Sequence, residues 1–218
     1  MCYRLLLAVF AGMSMALPVA AAESPVAIVM AVTGDTEPSL PALTEILADT
    51  PVRLAPRTAL TFLHYARCKM VTVTGGVLSM NRIAYQTDGR IDSEVDGPCP
   101  VVSEIAGPAR GTTTGGSVFR GIHAAPRWPV NLDIVLAGPS ADKVRAAAIY
   151  AEDRPNEPLL RLDLEGRRIS EPRDAPSLPP NHHYRLRLVV SDRPEPLDLP
   201  FFGRAATGAK SLLVLRID

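Results

Sequence analysis

His64, Tyr65 and Cys68 fall within five positions of the stretch HYARCKMVTVTGG, which runs from His64 to Gly76. A cysteine thiolate with a histidine base against it is a nucleophile, provided a third group orients the base. His64, however, alternates with Phe62 and Leu60, the pattern of a strand histidine at the edge of a core. No other histidine lies nearby in sequence. Once an N-terminal signal is removed, the remaining cysteines are Cys68 and Cys99. Two cysteines in an oxidising compartment usually pair, so the expectation is a Cys68–Cys99 disulfide. A free buried thiol or an intermolecular link are the alternatives. A paired Cys68 has no thiolate to attack with.

Other groupings offer less chemistry. His182 and His183 are adjacent, and neighbours on a strand point to opposite faces, which makes them poor ligands for one metal. His123 and His64 add no metal-ligand spacing. The run GTTTGGS has the glycines of a phosphate loop but lacks the Lys-Ser or Lys-Thr that would follow them. Ser117 is not in a G-x-S-x-G elbow. Asp92, Glu94 and Asp96 could offer oxygen ligands to Ca²⁺, but the run does not go on as an EF-hand pattern. The sequence therefore assigns no catalytic residue, no metal site and no cofactor. Phe201 and Phe202, in the run DLPFFGRAATGAK, cannot both face one core if extended. One of them is expected to mark a contact surface, unless the run folds over and plugs the end of a sandwich.

The elements that must carry these residues follow from the totals. Met1 to Ala22 reads as a secretory signal: Arg4, the apolar LLLAVFAGMSMAL, then Ala20-x-Ala22 as a cleavage pattern. Cys2 leaves with it. Later apolar runs are too short to span a bilayer, so stable membrane insertion is not expected after processing. Lys and Arg total 23 and Asp and Glu total 23, so the balance implies neither a nucleic-acid surface nor a polybasic membrane patch. Twenty-one prolines and 5% aromatics favour short strands and many turns over long helices. The Ala, Arg and Pro bias fits a bacterial source, so export points to the periplasm or to secretion.

Along the chain, PVAIVMAVTG reads as an apolar strand. DTEPSLPALTEILADT allows a turn or two of helix, or a loop. PVRL and ALTFLHY read as two strands around a proline turn, APRT. KMVTVTG is a strand with Val71 and Val73 on one side, GGV is a tight turn, and TDGR is a hairpin turn. IDSEVDGPCP leaves the sheet. After a Gly- and Thr-rich stretch, WPVNLDIVLAG, KVRAAAIYAE, PLLRLDL, RRIS, HYRLRLVVSD and KSLLVLRID read as strands, with Tyr184, Leu186, Leu188 and Val190 inward. The expectation is an all-β chain of two modules: a small antiparallel unit at 24–100, a flexible linker at 101–125 and a β-sandwich at 126–218.

The segment TPVRLAPRTALTFLHYARCKMVTVTGGVLSM resembles FecR-like periplasmic β domains. Arg53, Leu54, Pro56, Ala59, Leu60, Phe62, Val71, Val73, Thr74 and Gly75 carry the likeness. The second half, with RWPV and then LPPNHHYRLRLVV, is similar to fibronectin-III-like modules. There a tryptophan begins the core, and Leu178, Pro180 and Tyr184 form the turn into a late strand. The resemblance implies an envelope protein of scaffold or interaction type. The leading expectation is thus an exported, non-enzymatic binding protein whose partner is an envelope protein or a surface polymer. A hydrolase with a dispersed active site is one alternative. An assembly or chaperone-like factor using an exposed strand edge is the other.

Overall fold

The computed structural model describes residues 24–105, 125–206, 208 and 210–217. The proposed signal at 1–22 and residues 106–124 lie outside them. The chain is all-β and forms two sheets.

The first sheet holds β1 (Pro25–Thr33), β2 (Thr36–Glu37), β3 (Glu45–Leu47), β4 (Val52–His64), β5 (Lys69–Met80), β6 (Tyr85–Thr87) and β7 (Arg90–Asp96). Its order is β3-β1-β4-β5-β6, with β2 on β4 and β7 on β5. The region between β1 and β4 holds two short strands and no helix; Pro38 and Pro41 interrupt any helical turn there. APRT and GG do not end strands. The β4–β5 register passes from Leu54↔Gly76 to Ala59↔Thr74, so the proline segment and the glycine pair lie opposite one another as matched irregularities. Gly75 and Gly76 have φ of +65° and +78°, values that cost a glycine little. Both long strands bend here and the sheet curls over Leu60, Phe62, Val71, Val73 and Leu78.

TDGR is not a hairpin either. β6 and β7 both run antiparallel to β5 along the same edge. Asp88–Gly89 is a break in that edge, set against Gly75–Gly76. A Cβ at Gly89 would lie 1.9 Å from the Gly75 carbonyl oxygen, so only glycine fits there. The Asp88 carboxylate accepts the Val77 N–H at 2.5 Å and satisfies the amide that the break exposes. IDSEVD consequently stays in the sheet as β7.

The second sheet holds β8 (Val101–Ile105), β9 (Arg127–Pro129), β10 (Leu132–Ala137), β11 (Val144–Ala151), β12 (Arg154–Glu165), β13 (Arg168–Ser170), β14 (His182–Val190), β15 (Leu197–Arg204) and β16 (Ser211–Ile217). Its order is β8-β16-β10-β13-β12-β11-β14-β15-β9. β12 serves both halves of the path: Leu160 to Leu162 pair with β11, and Asp163 to Glu165 with β13. Side chains from both halves share one core around Trp128, Ile134, Ile149, Leu186, Phe201 and Leu215, which fits a sandwich. The stretch expected to open the linker begins differently. Val101–Ile105 pairs in parallel with β16, and Ile105 is buried in the sandwich core.

The two sheets are joined by a third buried cluster. Ile28 and Leu63 of the first meet Val135, Ala137, Leu212 and Val214 of the second, all nearly inaccessible to solvent. This is why VAIV, LDIVLA and SLLVL are continuous apolar runs: each strand buries both faces. At the rim of this seam the Glu45 carboxylate accepts from Arg216 Nε at 2.9 Å and from the Tyr65 hydroxyl at 3.0 Å. Arg216 also donates to Glu104 at 3.2 Å. Burial, with Glu45 beside it, holds the Tyr65 hydroxyl far above its ordinary titration range. The modules therefore share an apolar seam with ion pairs at its rim.

Candidate contact surfaces

Cys68 and Cys99 are disulfide-bonded, with their Cα atoms 4.6 Å apart. Cys68 lies in the β4–β5 turn, and Cys99 follows β7. The Gly97 N–H donates to the Cys68 carbonyl at 2.8 Å, so the bridge and this bond together fix the end of β7 to the turn. The thiolate of a Cys-His pair does not exist here. His64 is fully buried. Its Nε2 faces the Asn81 carbonyl at 2.9 Å, and its Nδ1 accepts the Arg67 N–H at 3.3 Å. These partners select the neutral tautomer with the proton on Nε2. Burial lowers the pKa of His64, which keeps it neutral. It is a core residue.

His182 and His183 line a cleft of about 590 Å³ together with Glu152, Asp153, Arg154 and Tyr184. Histidines and carboxylates converge there, as a hydrolase would require. The closest such pair, His183 Nδ1 and Glu152, is 3.7 Å apart, and both side chains are more than half exposed. The lining contains no serine, threonine or cysteine. His182 Nδ1 faces the carbonyl of Pro180 at 2.9 Å, its own chain two residues back. The cleft is a solvated surface depression with an ordinary surface pair in it.

Phe201 and Phe202 divide as an extended pair must, but on a strand rather than a loop. The alternation of Leu197, Leu199 and Phe201 with Asp198, Pro200 and Phe202 places DLPFFGR in β15, between β14 and β9. Phe201 is 1% exposed and stacks on Trp128 with ring centroids 4.9 Å apart. It belongs to the core and is removed from any contact surface. Phe202 points to the outer face, edge-to-face with His183 at a centroid separation of 5.0 Å and with the Arg127 guanidinium 5.5 Å over its ring.

The acidic triplet Asp92, Glu94 and Asp96 sits on β7, and each carboxylate has its own donor. Asp92 accepts from Thr74 at 2.5 Å and Arg90 at 2.6 Å. Glu94 accepts from the Tyr85 hydroxyl at 2.6 Å, and burial together with this bond pushes that phenol up to about 12. Asp96 accepts from Lys69 at 2.5 Å. The hydrogen bonds from Thr74 and from Lys69 hold Asp92 and Asp96 below the usual carboxylate range. The three do not converge on a common centre, and among the described residues no group of three His, Cys, Asp or Glu side chains could hold a metal.

β7 itself is the most unusual feature of the surface. All seven of its residues are exposed. It pairs with β5 along Asp96↔Lys69 to Arg90↔Thr74, and among the described residues no strand pairs with its other edge. Ile91 and Val95 are 47% and 52% exposed there. An edge of this length presents a row of backbone donors and acceptors. Its two ends are held by the Asp88–Gly89 break and by the disulfide.

No protein-family model, no curated protein and no solved structure matches this chain. Among the described residues no helix is long and apolar enough to cross a membrane.

Proposed function

We propose that this chain is an exported, non-enzymatic binding protein that holds another component of the cell envelope, and that the partner docks by adding a strand to the outer edge of β7. The observation that carries the reading is that edge: seven exposed residues, paired on one side only and pinned at both ends. Strand addition draws affinity from the main chain and specificity from alternate side chains. A pinned edge loses less entropy on docking than a mobile one. The charged side chains of β7 blunt indiscriminate pairing, and its exposed Ile91 and Val95 offer apolar contact to a chosen segment. The signal-like N-terminus supports a periplasmic or secreted location, as does a disulfide, which persists in oxidising compartments. The FecR-like and fibronectin-III-like stretches agree with an envelope scaffold.

A photo-crosslinking residue at Ser93 tests this in intact cells, with the same residue at the exposed Glu165 of the second sheet as control. The expected result is one dominant adduct from Ser93 and none from Glu165. Equal labelling from both positions, or no adduct from Ser93, would remove β7 as the docking edge.

A further inference from the structure

Beyond the β5 ladder, three consecutive residues of the β4–β5 turn hold the C-terminal end of β7. Arg67 meets Glu94 at 3.6 Å, and Lys69 donates to Asp96 at 2.5 Å. Between them, Cys68 accepts the Gly97 N–H on its carbonyl at 2.8 Å and carries the bridge to Cys99. The other end of β7 is held without sulfur, by Asp92 on Thr74 and by Asp88 on the Val77 N–H.

The two halves of the bridge differ. Cys99 is exposed, in the segment between β7 and β8, whereas Cys68 is half-buried in its turn. A thiolate arriving from solvent therefore meets the Cys99 sulfur first. Cys68 is also the better leaving group, because Arg67 and Lys69 flank it and neighbouring cations lower a thiol pKa. While the bridge is closed, β7 carboxylates neutralise both cations. Once β7 frays, the two cations remain with Cys68 and favour its thiolate.

The rest of the first sheet does not depend on β7. Its core is built from Leu60, Phe62, Val71, Val73, Leu78 and their neighbours, and all seven residues of β7 are exposed. Releasing this strand empties no core position. β7 thus has a pinned state and a frayed state on one folded scaffold. A frayed strand must be ordered before it can pair, which costs affinity.

We propose that the Cys68–Cys99 bridge is a thiol-operated latch on β7, opened by a dithiol reductant that attacks at Cys99. A reductant thiolate bonds to the Cys99 sulfur, and the bond between Cys68 and Cys99 breaks. Its electron pair leaves on Cys68, which takes up a proton. The second thiol of the reductant then attacks the reductant sulfur of the mixed disulfide, and Cys99 leaves and is protonated in turn. The bridge gains two electrons and two protons, and the dithiol becomes a disulfide. The consequence for docking rests on β7 being the docking edge; the latch itself does not.

Two readouts on the mature protein test the latch without a partner. In the first, reduced glutathione is added and the mixed disulfide trapped by acid and alkylation. Peptide mass spectrometry should find glutathione on Cys99 and the alkyl group on Cys68, in at least tenfold excess over the reverse. In the second, dithiothreitol should at least double the deuterium taken up by Arg90–Asp96 on brief labelling, as the amides that face β5 open. Peptides of β1 and β13 should stay protected, and reoxidation should restore the parent pattern. Glutathione shared equally between the cysteines, exchange that opens β1 as well, or a β7 unmoved by reduction would overturn the latch. In cells, Cys68→Ser with Cys99→Ser should cut the Ser93 photo-adduct at least fivefold at matched protein level, and an undiminished adduct would overturn control of docking by the bridge. No adduct from the parent is a failure of the docking edge itself, and the glutathione and exchange readouts then decide the latch alone.

Discussion

Removing the disulfide lowers the melting temperature by about 10 °C. Cys68 and Cys99 are 31 residues apart, and closing a loop of that length removes about 3–4 kcal/mol of chain entropy from the unfolded state. For a chain of this size each kcal/mol corresponds to roughly 2–4 °C. The first sheet feels this most, because β7 contributes no buried side chain of its own. Its attachment rests on the β5 ladder, the Gly97 to Cys68 hydrogen bond and the bridge. Cys68→Ser with Cys99→Ser, or reduction of the parent, should therefore loosen β7 first. A thiol count on the unfolded, unreduced mature protein should find no reactive thiol. Two reactive thiols, or a melting curve unmoved by reduction, would contradict the staple.

The second large effect concerns the seam. A protease site inserted between Pro100 and Val101 cuts the chain between the two sheets. Since Ile28 and Leu63 are fully buried against Val135, Ala137, Leu212 and Val214, the halves should co-elute as one species after cutting. The Glu45–Arg216 pair reinforces this, because both side chains are mostly buried and removal of Arg216 leaves the Glu45 carboxylate without a cation. Leu63→Ala should cost about 2–5 kcal/mol through the cavity it leaves. Leu63→Asp places a carboxylate in an apolar site, and the cut halves should then separate. Halves that part without any substitution would show that the seam does not hold.

Much of the second sheet could be read from the chain. HYRLRLVV alternates so regularly that Tyr184, Leu186, Leu188 and Val190 face inward as expected. LEGRRI turns between β12 and β13 at Gly166. The pairing of Cys68 with Cys99 followed from compartment and count. The failures share a physical cause. Proline and glycine signals are local, whereas a bend shared by two strands depends on which residues lie opposite. APRT and GG therefore read as two turns when they are one matched bend. Apolar runs such as LDIVLA announce a buried strand but not which of its faces meets which sheet, so the seam was invisible. β7 was missed because an exposed edge strand buries nothing and so carries no apolar period. Phe201 and Phe202 read as a pair, and only the β14–β15 register decides which of them is outside.

The docking claim rests on backbone pairing at β7, which amide hydrogen exchange reads directly. The partner captured through Ser93 would be purified and added to the mature protein, and peptides covering Arg90–Asp96 followed by mass spectrometry. Strand addition fills the unpaired edge, so exchange across Arg90–Asp96 should slow markedly in the complex while peptides of β13 keep their rates. A saturated complex in which the Arg90–Asp96 amides exchange as fast as in the free protein would contradict strand addition at this edge.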